Sequence, residues 1–392
     1  APNFRIMMAT VQKPQLKDWK EIIPNGPSVI SSAHLCGGQL LLTRLQDASE
    51  HAYAYTLDGK LLHEITLPAL GSVSFSGDKD EQEAFYLFTS FTYPPTLFRY
   101  EVKANRSTLC MAAKIKGFDP AAYTTEEVFY PSKDGTKIPM FLTYKKGLKK
   151  DGKNPTLLYG YGGFDISMTP NFSANRLLFL ESGGIYAQAC MRGGGEYGEA
   201  WHKAGTKMHK QNVFDDFIAA AEYLEKEGYT SKEKLAINGG SNGGLLIGAV
   251  VNQRPDLFKV AIPQVGVMDM LRYHLFTIGW NWASDYGTSA DSKEMFEYLK
   301  AYSPLHNIKN DGTPYPAILI TTGDHDDRVV PAHSFKYAAT LQASRTGNAP
   351  KLIRIESKAG HGQGKPISKI IDEATDIYAF LMYNLGMKPV LE

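Results

Sequence analysis

The sequence lacks an excess of either charge. Its 42 Lys and Arg residues face 41 Asp and Glu residues, which gives a formal net charge of +1 at pH 7. Proteins that attract nucleic acid or an anionic membrane carry a strong basic field, so neither is expected as a partner. The sequence also has no apolar run near the roughly 18 to 20 residues that cross a bilayer. We therefore expect a soluble, cytoplasmic chain, with the periplasm as the alternative compartment.

Cysteine is scarce as well. The three cysteines, Cys36, Cys110 and Cys190, lie far apart and outside any C-x-x-C pattern. Disulfide frameworks and zinc sites need paired, regularly spaced cysteines, so we interpret all three as buried thiols and expect no metal or organic cofactor. Apolar residues at 43% and charged residues at 21% are typical of a globular chain, and a length of 392 residues predicts two or three domains.

Short β segments fill the first part of the chain, up to about residue 116. Turn residues separate them, and two of the turns, Asp58-Gly59 and Ala104-Asn105, lie about 46 residues apart. The predicted strands are residues 28–36, 39–45, 51–57, 61–67, 72–75, 84–91, 97–102 and 108–112. Four short strands in a period of that length are typical of a β-propeller blade, and a generic antiparallel sandwich is the alternative.

The number of blades limits this interpretation. Residues 1–116 supply about two and a half blades, whereas propellers close with about four to eight. An open stack of blades leaves strand edges exposed, which soluble proteins avoid. We therefore expect residues 1–116 to form a partial propeller. We also expect the chain to be a fragment, or one piece of a nicked protein whose companion chain carries the remaining blades.

After a connecting stretch at residues 117–128, apolar strands alternate with helical patterns. The predicted strands are residues 138–144, 156–159, 185–190, 235–238, 260–265, 317–322 and 352–355, and the predicted helices are 213–227, 243–253, 334–343 and 368–385. This alternation predicts an α/β fold with a mainly parallel sheet over residues 117–392. Ligands of such sheets bind beyond the carboxyl ends of the strands, so the chemistry is sought in those loops.

One of these loops fits the pattern G-x-S-x-G, with Gly239, Ser241 and Gly243 between a strand and a helix. A nucleophile on such a sharp turn needs glycines two residues to either side, because side chains there would collide with the neighbouring strand and helix. The pattern therefore indicates a nucleophilic serine. A glycine-rich loop that only packs tightly is the alternative, and a phosphate-binding loop is disfavoured because no lysine follows the glycines.

A serine nucleophile needs a base and an orienting acid, which follow it in the order acid, then histidine, in this fold class. Asp326 is the predicted acid, because by then the chain has passed the strand end and the turn; Asp324 and Asp327 are the alternatives, and a metal site is disfavoured. His361, flanked by glycines after the last strand, is the predicted base, whereas His333 is interpreted as structural.

The negatively charged oxygen that forms during acyl transfer needs hydrogen-bond donors aimed at it. The N–H of Asn242, directly after the nucleophile, is one candidate donor. A second should come from the glycine-rich loop at residues 158–164, where Tyr161 can offer a phenolic hydroxyl. The alternative is that the aromatic residues of this loop only fill the core.

Five motifs in order along the chain together resemble the prolyl oligopeptidase family of serine peptidases. They are Y-G-Y-G-G-F at 159–164, R-G-G-G-E-Y-G at 192–198, G-G-S-N-G-G at 239–244, D-H-D-D-R-V-V-P at 324–331 and A-G-H-G at 359–362. The segment at 129–139 resembles the start of that family's hydrolase domain. The resemblance implies an α/β-hydrolase domain preceded by a propeller, hydrolysis of short peptides after proline, and no cofactor. Members are far longer, which also favours a fragment.

The resemblance further implies roles for individual residues. Ser241, Asp326 and His361 would form the catalytic triad, and the Tyr161 hydroxyl and the Asn242 N–H would form the oxyanion hole. Arg328 would donate a hydrogen bond to a peptide carbonyl on the acyl side of the scissile bond. The pocket for the proline ring would be lined by Phe164, Val267, Ile278, Trp282, Tyr286 and Val329.

An aromatic pocket suits proline physically, because the proline ring is compact and apolar and carries no N–H. Trp282 and Tyr286 would lie one turn apart on a helix and could face the same way, although ordinary core packing is the alternative. Specificity for Lys or Arg would need carboxylates, and residues 267–286 offer only Asp269 and Asp285. A related esterase or acylaminoacyl peptidase, and a binding module without catalysis, remain the alternative functions.

Overall fold

The computed structural model describes residues 1–390. The chain divides into two compact units. The first comprises Ala1–Thr125 with the segments Ser167–Ser173 and Gly195–His202, and the second comprises Glu126–Ile166, Ala174–Gly194 and Lys203–Glu392.

Three antiparallel sheets make up the strands of the first unit. β1 and β2 form a two-stranded sheet, β3 to β6 form a four-stranded sheet in chain order, and β7 to β10 form another in the order β10-β9-β8-β7. The bounds are β1 Ile6–Met8, β2 Lys20–Ile23, β3 Val29–Cys36, β4 Gln39–Gln46, β5 Ser49–Thr56, β6 Leu61–Ile65, β7 Ser72–Ser76, β8 Glu83–Ser90, β9 Tyr93–Glu101 and β10 Arg106–Ala112.

Side chains on β8 alternate between buried and exposed positions, as a strand with one covered face requires. The buried aromatic residues Tyr86 and Phe88 of β8 share a core cluster with Tyr100 from the neighbouring β9. Each of the eight strands predicted for this region corresponds to an observed strand, with ends that differ by a few residues. Beside the small β1-β2 sheet, the first unit thus contains two four-stranded antiparallel sheets, as the blade pattern predicts.

The cysteine prediction is wrong for one residue. Cys36 and Cys190 are buried thiols, as predicted, but the thiol of Cys110 is exposed. Cys110 lies on β10, the outermost strand of its sheet, and every residue of that strand is exposed.

An eight-stranded sheet, in the order β11-β12-β14-β13-β15-β16-β17-β18, organises the rest of the chain. β12 is antiparallel to β14, and all pairs from β14 to β18 are parallel. The strands are β11 Tyr123–Pro131, β12 Lys137–Lys145, β13 Thr156–Tyr159, β14 Ile185–Ala189, β15 Leu235–Gly240, β16 Val260–Gln264, β17 Ala317–Gly323 and β18 Lys351–Glu356. The sheet is mainly parallel, as predicted, but β11 occupies part of the stretch that was expected to be a connection.

Eight α-helices lie within residues 1–390. They are α1 Ala174–Glu181, α2 Glu199–Lys203, α3 Gln211–Lys226, α4 Asn242–Gln253, α5 Ala283–Tyr286, α6 Lys293–Tyr302, α7 Ala332–Ala343 and α8 Ile367–Leu385. The four predicted helices correspond to α3, α4, α7 and α8, whereas α1, α2, α5 and α6 were not predicted. Across residues 1–390, none of the helices has the length and apolar character that crossing a membrane requires.

Candidate active site

Ser241 occupies the sharp turn between β15 and α4. Its backbone has φ of 58° and ψ of −116°, a conformation that residues with a side chain rarely adopt, and its N–H donates to the Gln264 carbonyl at 2.9 Å. A Cβ on Gly239 would lie 2.5 Å from the Gly243 carbonyl oxygen, and one on Gly243 would lie 2.7 Å from the Gly160 carbonyl oxygen. The close approach of these backbones therefore requires both glycines of the motif.

Asp326 and His361 form a hydrogen-bonded pair. The distance between Asp326 Oδ2 and His361 Nδ1 is 2.6 Å, and Asp326 is 2% exposed. The other carboxylate oxygen, Oδ1, accepts the backbone N–H groups of Arg328 at 3.0 Å and Val329 at 2.9 Å. The turn after β17 therefore fixes the carboxylate, which in turn orients the imidazole.

The neighbouring candidates for these roles have other partners. The Asp324 carboxylate lies 2.7 Å from the exposed His325 side chain, and Asp327 is exposed. His333 is buried, and its Nδ1 accepts the Asp269 N–H at 3.1 Å. Burial lowers the pKa of His333 to about 4, so its ring is neutral at pH 7.

Ser241, Asp326 and His361 follow β15, β17 and β18, and therefore lie at the carboxyl edge of one parallel sheet. Within residues 1–390, no hydrogen bond joins the Ser241 hydroxyl to the His361 imidazole. Contacts between a nucleophile and its base are often loose without substrate, so the missing bond does not conflict with the predicted roles.

The loop after β13 brings Tyr161 towards the nucleophile. The Asn242 side chain donates from Nδ2 to the Tyr161 carbonyl at 2.6 Å, and its Oδ1 accepts the Tyr286 hydroxyl at 2.7 Å and the Lys210 ammonium at 3.1 Å. Burial raises the pKa of Tyr161 to about 12, so the phenol keeps its proton and can donate a hydrogen bond at neutral pH. Lys210 was not predicted from the sequence.

A cavity of about 490 Å³ opens beside Ser241. Eight residues that were singled out from the sequence line it: Tyr161, Phe164, Ser241, Val267, Ile278, Trp282, Tyr286 and Arg328. Three lining residues were missed, namely Ile166, Asn281 and Ser284, although all lie within five residues of predicted ones. Val329, expected in the pocket wall, is buried in the turn of Asp326 and does not line the cavity.

Aromatic rings give the cavity a rigid wall. Tyr286 packs edge-on against Phe164 and against Tyr273, with 5.3 Å between ring centroids in each pair, and Trp282 stacks on Tyr273 at 6.1 Å. Among the described residues, those that line the cavity include no carboxylate. Of the two nearby acids, Asp285 accepts the Phe164 N–H at 2.9 Å, and Asp269 pairs with the Lys336 ammonium.

Comparison with known proteins agrees with this geometry. Residues 170–388 match the model of the prolyl oligopeptidase family, and residues 1–113 match that of the prolyl oligopeptidase N-terminal β-propeller domain. A prolyl endopeptidase of Elizabethkingia meningoseptica is 54% identical over 99% of this chain, which covers 55% of that protein. A prolyl endopeptidase of Dictyostelium discoideum is 47% identical over 95% of this chain, which covers 50% of it.

Solved structures extend the similarity to the whole described fold. A structure from a study of two prolyl endopeptidases superimposes with a TM-score of 0.95 at 46% identity, covering 99% of this chain and 57% of that one. The chain thus spans about half the length of the curated relatives that it matches. The match to the prolyl oligopeptidase family model covers more than half of the 392 residues. The matched region includes the Ser241 turn and the Asp326–His361 pair. The chain belongs to the prolyl oligopeptidase family.

Proposed function

We propose that this chain carries the hydrolase site of a serine peptidase that cleaves short peptides on the carboxyl side of proline. The observation that carries the proposal is the cavity beside Ser241, which has an aromatic wall and, among the described residues, no carboxylate in its lining. A compact apolar ring without an N–H is recognised by fit against such a wall. A Lys or Arg side chain would instead need an acidic partner.

The proposed reaction is acyl transfer through an ester on Ser241. His361 takes the proton of the Ser241 hydroxyl as its oxygen attacks the prolyl carbonyl carbon, and Asp326 holds the imidazole in the tautomer with Nε2 free. His361 then gives this proton to the leaving amine as the C–N bond breaks. Water attacks the ester, His361 accepts its proton and returns it to Ser241, and the peptide with a carboxyl-terminal proline leaves.

Two donors would stabilise the oxyanion in this scheme. They are the Tyr161 hydroxyl, protonated because burial raises its pKa to about 12, and the Asn242 N–H at the start of α4. Arg328 lines the cavity with an exposed guanidinium, which suits a hydrogen bond to a peptide carbonyl on the acyl side. Phe164, Val267, Ile278, Trp282 and Tyr286 would contact the proline ring and its neighbours.

The first experiment compares the wild type with Ser241→Ala on a succinyl-Gly-Pro chromogenic substrate. We expect turnover to be abolished while the melting temperature stays unchanged. Ser344→Ala is the matched control, because its hydroxyl donates to the Thr340 carbonyl on the exposed end of α7. Activity of Ser241→Ala near that of the wild type would contradict the proposal.

A second experiment separates the alternative functions. A peptide library that varies the residue before the cleaved bond distinguishes a proline-specific enzyme from an esterase or an acylaminoacyl peptidase. Labelling of Ser241 by a fluorophosphonate distinguishes any of these enzymes from a binding module without catalysis. A folded wild-type sample that does not react would favour the binding module.

Three further expectations remain predictions. They are the domain boundary at residues 116 and 117, a cytoplasmic location with the periplasm as the alternative, and a companion chain that carries further blades. The mass of an active sample under denaturing conditions tests the last of these. A second polypeptide would support a companion chain, and a single active species of 392 residues would contradict it.

A further inference from the structure

Lys210 is a buried ammonium within the network that surrounds the nucleophile. It lies directly before α3, is 1% exposed, and donates from Nζ to the Gly162 carbonyl at 2.8 Å and to Asn242 Oδ1 at 3.1 Å. Within residues 1–390, no carboxylate oxygen lies within 4.0 Å of this nitrogen. Burial lowers its pKa to about 8, and the charge of Asp285 opposes this shift. A buried charge without a direct counterion is costly, so ordinary core packing does not account for it.

The two acceptors of Lys210 connect the parts of the site that would stabilise the oxyanion. Gly162 follows Tyr161, and its backbone has φ of 64° in the left-handed region. Asn242 follows Ser241, and its side chain also donates to the Tyr161 carbonyl and accepts the Tyr286 hydroxyl. One ammonium and one amide therefore tie the loop after β13, the start of α4 and the cavity wall together.

The geometry points to Lys210 as a positioning residue for acyl transfer, an inference that rests on the proposed function. By holding the Gly162 carbonyl and the Asn242 side chain together, Lys210 keeps the Tyr161 hydroxyl and the Asn242 N–H aimed at one point. Its positive charge is shielded from water, since the side chain is almost fully buried. Displacing catalytic donors by about 1 Å can cost on the order of 100-fold in rate, so rigidity of this network is a catalytic requirement.

Two variants separate the hydrogen bonds from the charge. Lys210→Met removes both, and Lys210→Gln keeps a neutral donor for one of the two acceptors. Lys234→Met is the matched control, because Lys234 is partly buried and also donates to a backbone carbonyl, that of Leu385 at 2.7 Å. Each protein is titrated with a fluorophosphonate, so that kcat refers only to reactive sites and not to the folded fraction.

We expect Lys210→Met to lower kcat on the succinyl-Gly-Pro substrate by about 10- to 100-fold, with KM within about threefold of the wild type. A peptide aldehyde ending in proline forms a tetrahedral adduct with a serine nucleophile and needs the same donors. Its inhibition constant should rise by a similar factor. Lys210→Gln should fall between Lys210→Met and the wild type, and Lys234→Met should match the wild type.

A lysine with only a structural role would change the melting temperature and the titratable fraction, but not kcat per titrated site. A value of kcat within about twofold of the wild type in a folded Lys210 variant would therefore overturn the inference. If Lys210→Met does not fold, Lys210→Gln decides on the same criterion. If the wild type itself neither titrates nor turns over, the proposed function fails first and the inference falls with it.

Discussion

Asp326→Asn is the substitution that tests the acid–histidine pair most directly. The new side chain has one oxygen and one NH₂ group, and the structure decides which of them faces His361. Asp326 Oδ1 accepts two backbone N–H groups, from Arg328 and Val329. Placing the NH₂ group there would leave two N–H groups without an acceptor, the buried one of Val329 and the partly buried one of Arg328. The oxygen of Asn should therefore keep this position, and its NH₂ group should face His361 Nδ1.

This orientation changes the tautomer of His361. A donor facing Nδ1 requires that nitrogen to accept, which puts the ring proton on Nε2, where it cannot take a proton from Ser241. Each N–H that loses its acceptor in this turn costs about 1 to 3 kcal/mol, so the flipped, competent orientation lies about 2 to 6 kcal/mol higher. The competent fraction is then about 1/30 to 1/20,000, since about 1.4 kcal/mol corresponds to a factor of ten.

We therefore expect kcat to fall by about 30- to 20,000-fold on a succinyl-Gly-Pro substrate, and the comparable change in a serine protease costs about 10⁴-fold. Asp324→Asn is the matched control: that carboxylate lies against the exposed His325 and accepts the Ala359 N–H at 3.3 Å. It should stay within about threefold of the wild type. A loss below about tenfold in a folded Asp326→Asn protein, or equal losses in both variants, would refute the reasoning.

Three other predictions follow from the same structure. Trp282→Ala should lower kcat/KM for a Gly-Pro substrate by about 10- to 100-fold but change hydrolysis of p-nitrophenyl acetate by less than about threefold; equal losses would exclude a pocket role. Gly239→Ala should lose most fluorophosphonate labelling because its Cβ would meet carbonyl oxygens at 2.5 and 2.8 Å, whereas Gly240→Ala, with nothing within 4 Å, should label normally. Burial lowers the pKa of His333 from 6.5 to about 4, so between these pH values the unfolded chain binds a proton that the folded chain does not. The free energy of unfolding should therefore fall as the pH drops from 6.5 towards 4, by at most about 1.4 kcal/mol per pH unit. His333→Gln should remove this pH dependence, which urea unfolding of the wild type and the variant at pH 7 and pH 5 would measure. An equal loss of unfolding free energy between pH 7 and pH 5 in both proteins would contradict the prediction.

Elements with a strong local period could be predicted from the sequence. β8 alternates buried and exposed positions, and α3 and α4 begin within two residues of their predicted starts. α6 was missed although it carries a local signal, because Ser292 caps it by accepting the Met295 N–H at 3.0 Å, and Met295, Leu299 and Tyr302 form its buried face. Its short length and polar composition hid that signal.

Position within a sheet could not be predicted in the same way. The segment that became β10 has the residues of a strand, but period alone does not say which strand lies outermost. The burial predicted for Cys110 failed for that reason, since β10 pairs only with β9 and all seven of its residues are exposed. The connection expected at residues 117–128 was also wrong in part, because β11 begins at Tyr123 and pairs with β12, the next strand along the chain.

In the candidate site, too, some residues are marked by the local sequence and others only by the folded structure. Gly239 and Gly243 could be predicted because the strand, the turn and the helix that contain them adjoin in sequence and form a recognisable pattern, although the carbonyl that a Cβ on Gly243 would meet belongs to the distant Gly160. Nothing local marks Lys210, which lies 32 residues before Asn242 in a polar stretch, M-H-K-Q-N, that looks solvated. In the folded chain, the loop after β13 and the start of α4 converge on its ammonium and supply both of its acceptors. A buried cation can be tolerated there because oxygen acceptors surround it, and those same acceptors belong to the segments whose spacing acyl transfer would require. Lys210, which no sequence motif revealed, therefore connects the loop after β13 with the start of α4, two segments that the motifs did reveal.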